Sequence, residues 1–272
     1  MKKIATLLLA ALLTVGLTGC AQEKASGDGD KSTGEDKTIV IGASITPHKD
    51  IIEAAIPGLE EKGYKVEIEV FEDYVLPNTA LADGDLDANF FQHVPYLENM
   101  ASEQDLDITW TVKVHIEPMG VYSDKLTKLD ELEEGAEIVI PNDPSNGSRA
   151  LLLLEKAGVI KLKDVEQPSI IDIAENPKNI EFTELDAPQL PRALQDVAAA
   201  VINTNYALEA DLNPLKDALF LEDSDSPYAN VIAVRTEDKE SQKIKDLSEA
   251  MNSEAVKKYI EETYKGSIVP AF

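Results

Sequence analysis

From Thr38 onward the chain alternates short β-rich runs with amphipathic stretches. Thr38 to Gly42 is followed by a helical pattern near Lys49 to Lys62, then by Lys65 to Phe71, where Val66, Ile68 and Val70 share one face with charges between them. A period of two giving way to a period of 3.6 and back again is the pattern of βαβ units, with a largely parallel sheet covered by helices. Further strands are expected at Ala88 to Phe91, Ile108 to His115, Glu137 to Pro141, Ile180 to Thr183, Ala199 to Asn203, Ala218 to Leu221 and Asn230 to Arg235. Helical segments between them include Ala150 to Ala157, stopped by Gly158, and Glu240 to Met251. The length of this pattern suits two α/β lobes with a ligand cleft between them. Lobe 1 takes residues 38–120 with 228–272, and lobe 2 takes 121–227. The chain crosses between them near Glu117 to Ser123 and near Ser224 to Asn230, where Pro and Gly interrupt the pattern.

Charge narrows the function. Lys plus Arg number 25 against 51 Asp plus Glu, a formal charge of -26, which excludes a nucleic-acid surface, since that must be basic. With 43% hydrophobic residues the chain can bury a core and is not intrinsically disordered over most of its length. A single Cys rules out an intramolecular disulfide framework or a thiolate metal cluster, and His48, His93 and His115 are too scattered to suggest a dedicated metal site. No cofactor-binding motif is expected. A hydrolase using His93 as base is disfavoured, because neither a Gly-x-Ser-x-Gly elbow nor a His-Glu-x-x-His helix occurs.

The first residues read as an address. Lys2 and Lys3 precede an apolar run from Ile4 to Leu17, then Thr18, Gly19 and Cys20, the three-part plan of an export signal. The run is too short to span a bilayer comfortably. A lone Cys is ordinarily a small buried hydrophobe, but here it directly follows small residues at the end of a secretory segment. Residues 1–19 are therefore expected to be a signal peptide. Residues 20–37, rich in Gly, Ser, Thr and charge with no aliphatic side chain beyond Ala, are expected to be a flexible tether.

Ligands of open α/β sheets sit beyond the carboxyl ends of the strands, so strand exits are where binding residues are sought. Ala88 to Tyr96 (ANFFQHVPY) concentrates Phe91, His93 and an amide where a strand yields to a helix. The alternative is a core Phe pair with His93 merely starting the helix. Pro141 to Arg149 (PNDPSNGSR) follows a strand and opens a helix, so free N–H groups and the positive end of the dipole favour an anion there. Arg149, expected on the first turn, is electrostatically misplaced for the helix itself and would suit a carboxylate ligand. The alternative is a surface Arg paired with an acid such as Asp143. Val201 to Tyr206 runs from apolar strand to polar exit, and Asn203 offers both an acceptor and a donor, though Asn is also an ordinary helix cap. Asn230, after Tyr228, and Tyr74, expected to start the helix after Lys65 to Phe71, carry the same ambiguity.

Together these stretches resemble the NlpA-type substrate-binding lipoproteins, the methionine-binding components of bacterial ABC importers. The matching text is DANFFQHVPYL, HIEPMGVYS, IPNDPSNGSRALLLLEKAG, ELDAPQLPRAL, AAVINTNYA and PYANVIAVR, and Leu17 to Cys20 resembles a lipobox. The resemblance implies a two-lobed, periplasmic-binding-protein-like α/β fold without catalysis or cofactor, closing on an amino acid and delivering it to a membrane permease. It also implies cleavage before Cys20 and acylation of that Cys with chains such as palmitate. Acylation would hold the protein on the extracytoplasmic face of the cell membrane, each buried methylene contributing about 0.8 kcal/mol. Carried over residue by residue, Arg149 takes the methionine carboxylate, with Asn146 in support. Asn203 and Asn230 satisfy the ammonium and the remaining carboxylate bonds, and Tyr74, Phe91 and His93 enclose the thioether chain. His115 matches a family position but is read as structural. Ala198, where the family often has Asp, and the short Thr46-Pro47-His48 turn depart from the pattern beside the cleft. The alternatives are the same module binding a methionine-containing dipeptide, D-methionine or another neutral amino acid, and a surface adhesin whose cleft is vestigial.

Overall fold

The computed structural model describes residues 37–223 and 226–272. The expected signal segment, Cys20 and all of the expected tether but Lys37 lie outside the described residues. In chain order the strands are β1 (Thr38–Ala43), β2 (Lys65–Val70), β3 (Ala88–His93), β4 (Ile108–Ile116), β5 (Gly120–Tyr122), β6 (Glu137–Pro141), β7 (Lys161–Leu162), β8 (Ile173–Glu175), β9 (Glu181–Leu185), β10 (Ala199–Ile202), β11 (Phe220–Leu221), β12 (Ala229–Arg235) and β13 (Val269–Pro270). The α-helices are α1 (Asp50–Glu61), α2 (Leu76–Asp83), α3 (Val94–Gln104), α4 (Pro144–Lys156), α5 (Leu190–Ala193), α6 (Thr204–Glu209), α7 (Pro214–Asp217), α8 (Gln242–Met251) and α9 (Glu254–Tyr264).

The strands form two mixed sheets. One has the order β13-β4-β12-β3-β1-β2 and the other β11-β5-β10-β6-β9, while β7 and β8 pair separately. In the first, β1 runs parallel to β2 and β3, and β12 lies antiparallel between β3 and β4. In the second, β6 is parallel to both β9 and β10, and β5 is antiparallel to β10. The chain leaves the first sheet after Ile116, enters the second at Gly120, and returns after Leu221 through β12, α8, α9 and β13. The result is a two-lobed α/β fold in which each sheet has its own core.

Burial follows from position in the sheets. β3 is central and buried at every residue, so it reads as a continuous run (ANFFQH) with no alternation. β2 is an edge strand, and Val66 and Ile68 pack on the core while Val70 is exposed. The first sheet carries a core of Ile39, Ile41, Ile52, Leu59, Ile232 and Leu247 and another around Leu81, Leu86, Leu97 and Val231. The second is likewise covered on both faces, by Ile138, Ile140, Leu151 and Leu154 and by Val139, Leu190, Ala200 and Ile202.

Helix α4 begins six residues before the apolar pattern of its sequence. Asp143 caps it by accepting from the Asn146 N–H at 2.8 Å, and Pro144 occupies the first helical position. Gly158, at φ +77°, ends it. Gly147 is required by closeness: a Cβ there would lie 2.9 Å from the Pro141 carbonyl oxygen, a backbone atom that cannot swing aside.

Candidate ligand-binding site

Three strand exits converge. β3 ends at His93, β6 leads into α4 carrying Asn146 and Arg149, and β10 leads through Asn203 into α6. His93 caps α3, its Nδ1 accepting from the Tyr96 N–H at 3.2 Å, and its Nε2 donates to Asn146 Oδ1 at 3.0 Å, which links the first sheet to a helix of the second. Burial, with the Arg149 charge acting the same way, holds His93 down to about 3, so the ring is neutral at pH 7. Asn146 Oδ1 also accepts from Asn203 Nδ2 at 2.9 Å, and Asn146 Nδ2 donates to Asp143. The Asn146 amide is therefore fully engaged within the protein. Asn203 differs. It stands at the N-cap of α6 but makes no side-chain cap bond, and its Oδ1 is buried without a partner.

Arg149 is 3% exposed and lies on the second turn of α4, not the first, because the helix starts at Pro144. Its Nη2 donates to the Glu117 carbonyl oxygen at 2.8 Å, and its Nε donates to Glu222 Oε1 at 3.1 Å. Nη2 also pairs with the Glu222 carboxylate. The acid beside Arg149 is thus Glu222 rather than Asp143, whose carboxylate instead caps α4 and fills the anion position expected at that helix start. The Tyr228 ring covers the guanidinium at 4.2 Å and meets His93 edge-on at 5.1 Å.

Beneath the pocket His48, His115 and Glu117 meet, although the sequence separates the two histidines widely. Their polar atoms all lie within 4.8 Å of one another. His115 Nε2 donates to Glu117 Oε1 at 2.6 Å. His48 Nε2 lies 3.1 Å from the same oxygen and 3.1 Å from Asn230 Oδ1, while Ser44 holds its Nδ1 at 2.6 Å. Scatter along the chain was therefore no guide to a metal site. In space the atoms are close, and hydrogen bonds within the protein already occupy both Nε2 atoms, that of His115 to Glu117 and that of His48 to Asn230. Burial lowers His48 to about 4. Burial works to raise the Glu117 carboxyl, but His48, His115 and the Arg149 charge outweigh it and hold that carboxyl below the usual glutamate range.

The apolar wall is a set of rings around Tyr74: Phe91 at 5.8 Å, Tyr96 at 5.7 Å and Tyr206 at 5.0 Å. Tyr74 precedes α2, which begins two residues later, at Leu76, and its hydroxyl donates to Asn205 Oδ1 at 2.5 Å. All seven side chains expected from the sequence, Tyr74, Phe91, His93, Asn146, Arg149, Asn203 and Asn230, line one small cavity.

A model of the NlpA lipoprotein family matches residues 39–272. The chain belongs to the NlpA lipoprotein family. A D-methionine-binding lipoprotein, MetQ, of Salmonella typhi is 41% identical over 261 residues, 94% of this chain and 93% of that protein. The solved structure of a nutrient-binding protein from Burkholderia cenocepacia bound to methionine superposes with a TM-score of 0.84 at 48% identity, covering 86% of this chain and all of that one. That of an ABC transporter periplasmic substrate-binding protein from Coxiella burnetii does so with 0.83 at 46% identity, covering 86% of this chain and all of that one.

The same cavity is also lined by residues that sequence reasoning passed over: Gln92, Tyr96, Glu117, Thr204 and Asn205. Two of them left a signal. Glu117 stands two residues after His115, so an extended backbone puts both on one side. Asn205 stands two residues after Asn203 in the same exit, and its Nδ2 is buried without a partner.

Proposed function

We propose that the protein is a substrate-binding lipoprotein that captures methionine between its lobes and delivers it to the permease of an ABC importer, with no chemical step. One observation carries this reading. In a small enclosed cavity, a guanidinium, an unpartnered amide oxygen (Asn203) and an unpartnered amide nitrogen (Asn205) stand opposite a wall of aromatic rings. This arrangement suits an amino acid's charged head and an apolar, polarisable tail. Arg149 faces the carboxylate, Asn203 and Asn230 complete the polar contacts, and Tyr74 and Phe91 lie along the thioether. Asn146 and His93, whose polar atoms are spent on each other, position rather than bind. Family membership and the named ligands of relatives support the same cargo. The chain crosses at Glu117 to Gly120 and again just before Ala229, and these crossings act as the hinge between lobes 38–120 with 228–272 and 121–227. Cys20, after removal of residues 1–19, carries the acyl chains that hold the domain on the extracytoplasmic face of the membrane. Among the described residues no helix is long and apolar enough to cross a bilayer.

D-Methionine is the second reading, favoured by the name of the Salmonella relative. Mass spectrometry of the small molecules released from the full chain purified in detergent, followed by calorimetric titration with both enantiomers of methionine, leucine, glutamine and methionine-containing dipeptides, tests both. Methionine release with micromolar or tighter binding is expected. No bound molecule and no binding from that panel would overturn the transport reading in favour of a vestigial cleft.

A further inference from the structure

The two acids of the cavity region are used differently. Glu222 is spent on Arg149, whereas Glu117, 6% exposed in the cavity wall, has no Lys or Arg hydrogen-bonded to its side chain among the described residues. Its side-chain neighbours are the imidazoles of His48 and His115. His48 accepts at Nδ1 from Ser44 and points Nε2 at Glu117 and Asn230. His115 donates from Nε2, and its Nδ1 is buried with no partner. These contacts fix where the carboxylate points.

The carboxylate is also incompletely used. Oε1 faces both imidazoles, and Oε2 accepts the Asn205 backbone N–H at 3.1 Å. A carboxylate offers about four acceptor positions, so one on Oε2 remains. On the same cavity wall Asn203, 7% exposed, has an Oδ1 without a partner. An unfilled carboxylate position and an orphaned amide oxygen in one enclosed space call for a cationic donor with several N–H groups.

We infer that Glu117, aimed by His115, His48 and the Asn205 backbone, is the residue that recognises the ligand's primary ammonium, with Asn203 Oδ1 as its second acceptor. This rests on the amino-acid-binding reading above and deepens it. The pocket selects its ligands first by a free, positively charged α-nitrogen, and the carboxylate contributes less, because it meets an arginine already paired. N-acylated methionine is excluded, as the acyl group removes the charge.

The test compares three ligands by calorimetry on the intact protein: methionine, the amine formed by removing its carboxylate, and the acid formed by removing its amino group. The amine is expected to bind at least tenfold more tightly than the acid. An acid that binds as tightly as the amine, with methionine still bound, overturns the inference and leaves the transport reading standing. Failure of methionine itself to bind overturns both. In Glu117→Gln, methionine and amine affinity should fall roughly ten- to hundredfold, the worth of a charged hydrogen bond, with the acid unaffected. An unchanged ratio of methionine to acid affinity in that variant overturns the inference. Should the variant fail to fold by near-ultraviolet circular dichroism, the three ligands on the unaltered protein decide.

Discussion

Replacing Tyr74 by Phe removes one oxygen from the junction of the lobes and nothing else. The Tyr74 hydroxyl donates to Asn205 Oδ1 at 2.5 Å, joining the segment before α2 to the start of α6. The ring itself remains against Phe91, Tyr96 and Tyr206. Without the hydroxyl, the buried Asn205 oxygen loses its partner in a side chain whose Nδ2 already lacks one. Leaving a buried acceptor bare costs about 1–3 kcal/mol, or about a five- to 150-fold change in an equilibrium constant. The cost falls on the closed form, because in an open cleft water can serve Asn205. Ligand binding is coupled to closure, so the penalty should appear almost wholly as lost affinity. Calorimetry of Tyr74→Phe should show methionine affinity lowered by a factor within that range, while the ligand-free melting temperature moves by no more than about 2 °C. Affinity within twofold of the parent would show that the hydroxyl does not hold the lobes together. A large fall in the ligand-free melting temperature would place its contribution in the fold instead.

The remaining expectations concern charge. His48 and His93 have folded pKa values of about 4 and about 3 against an unfolded value of 6.5, so below pH 6.5 the unfolded chain binds more protons. Their contribution is complete above that pH and is lost as pH falls towards 4, at up to about 1.4 kcal/mol per unit for each ring. Glu117, held low, loses stability in the same direction, and Asp143, raised by burial, partly opposes it. Denaturant melts from pH 7.5 to 5 should therefore show falling stability with a shallower slope in His48→Asn, and a flat profile would refute the buried neutral rings. Glu222→Gln leaves Arg149 buried without its ionic partner. Thermal shift should show a less stable ligand-free protein with a larger stabilisation by methionine, whose carboxylate then answers an unpaired guanidinium. An unchanged methionine shift would remove Glu222 from competition for Arg149.

Much of this structure was visible in sequence because period and punctuation are local. β6 falls at Glu137–Pro141 as expected, and β1, β4 and β12 differ from expectation by a residue at one end. What escaped notice was short or dictated by distant partners. β5 and β13 hold three and two residues, too few for a period, and exist because β10 and β4 offer edges to pair with. In the pocket, every side chain picked from a strand exit reached the same cavity, since exits converge by topology. Pairing could not be read that way. That Glu222 rather than a ligand lies on Arg149, and that His48 and His115 share Glu117, depends on contacts spanning 73, 69 and 2 positions. Only the last lies within a periodic pattern.

The aromatic wall gives the cavity its other kind of selectivity. Tyr96 donates its hydroxyl to the Tyr74 carbonyl at 2.9 Å, Tyr206 to the Glu72 carbonyl at 3.2 Å and Tyr74 to Asn205, so none of the three hydroxyls is left for a ligand. Burial raises the pKa of each, so none supplies charge. What they present is ring face and edge. A ligand side chain bearing its own donors, such as an amide, would strand them against these rings at a cost of about 1–3 kcal/mol per group. A thioether strands nothing and gains about 0.3–1.5 kcal/mol from sulfur against aromatic edges. Exclusion of polar side chains is thus the larger effect and preference for sulfur over methylene the smaller. Two of the hydroxyl bonds that make the wall apolar, Tyr74 to Asn205 and Tyr206 to Glu72, also join segments of the two sheets' lobes, so the surface that selects the tail depends on both.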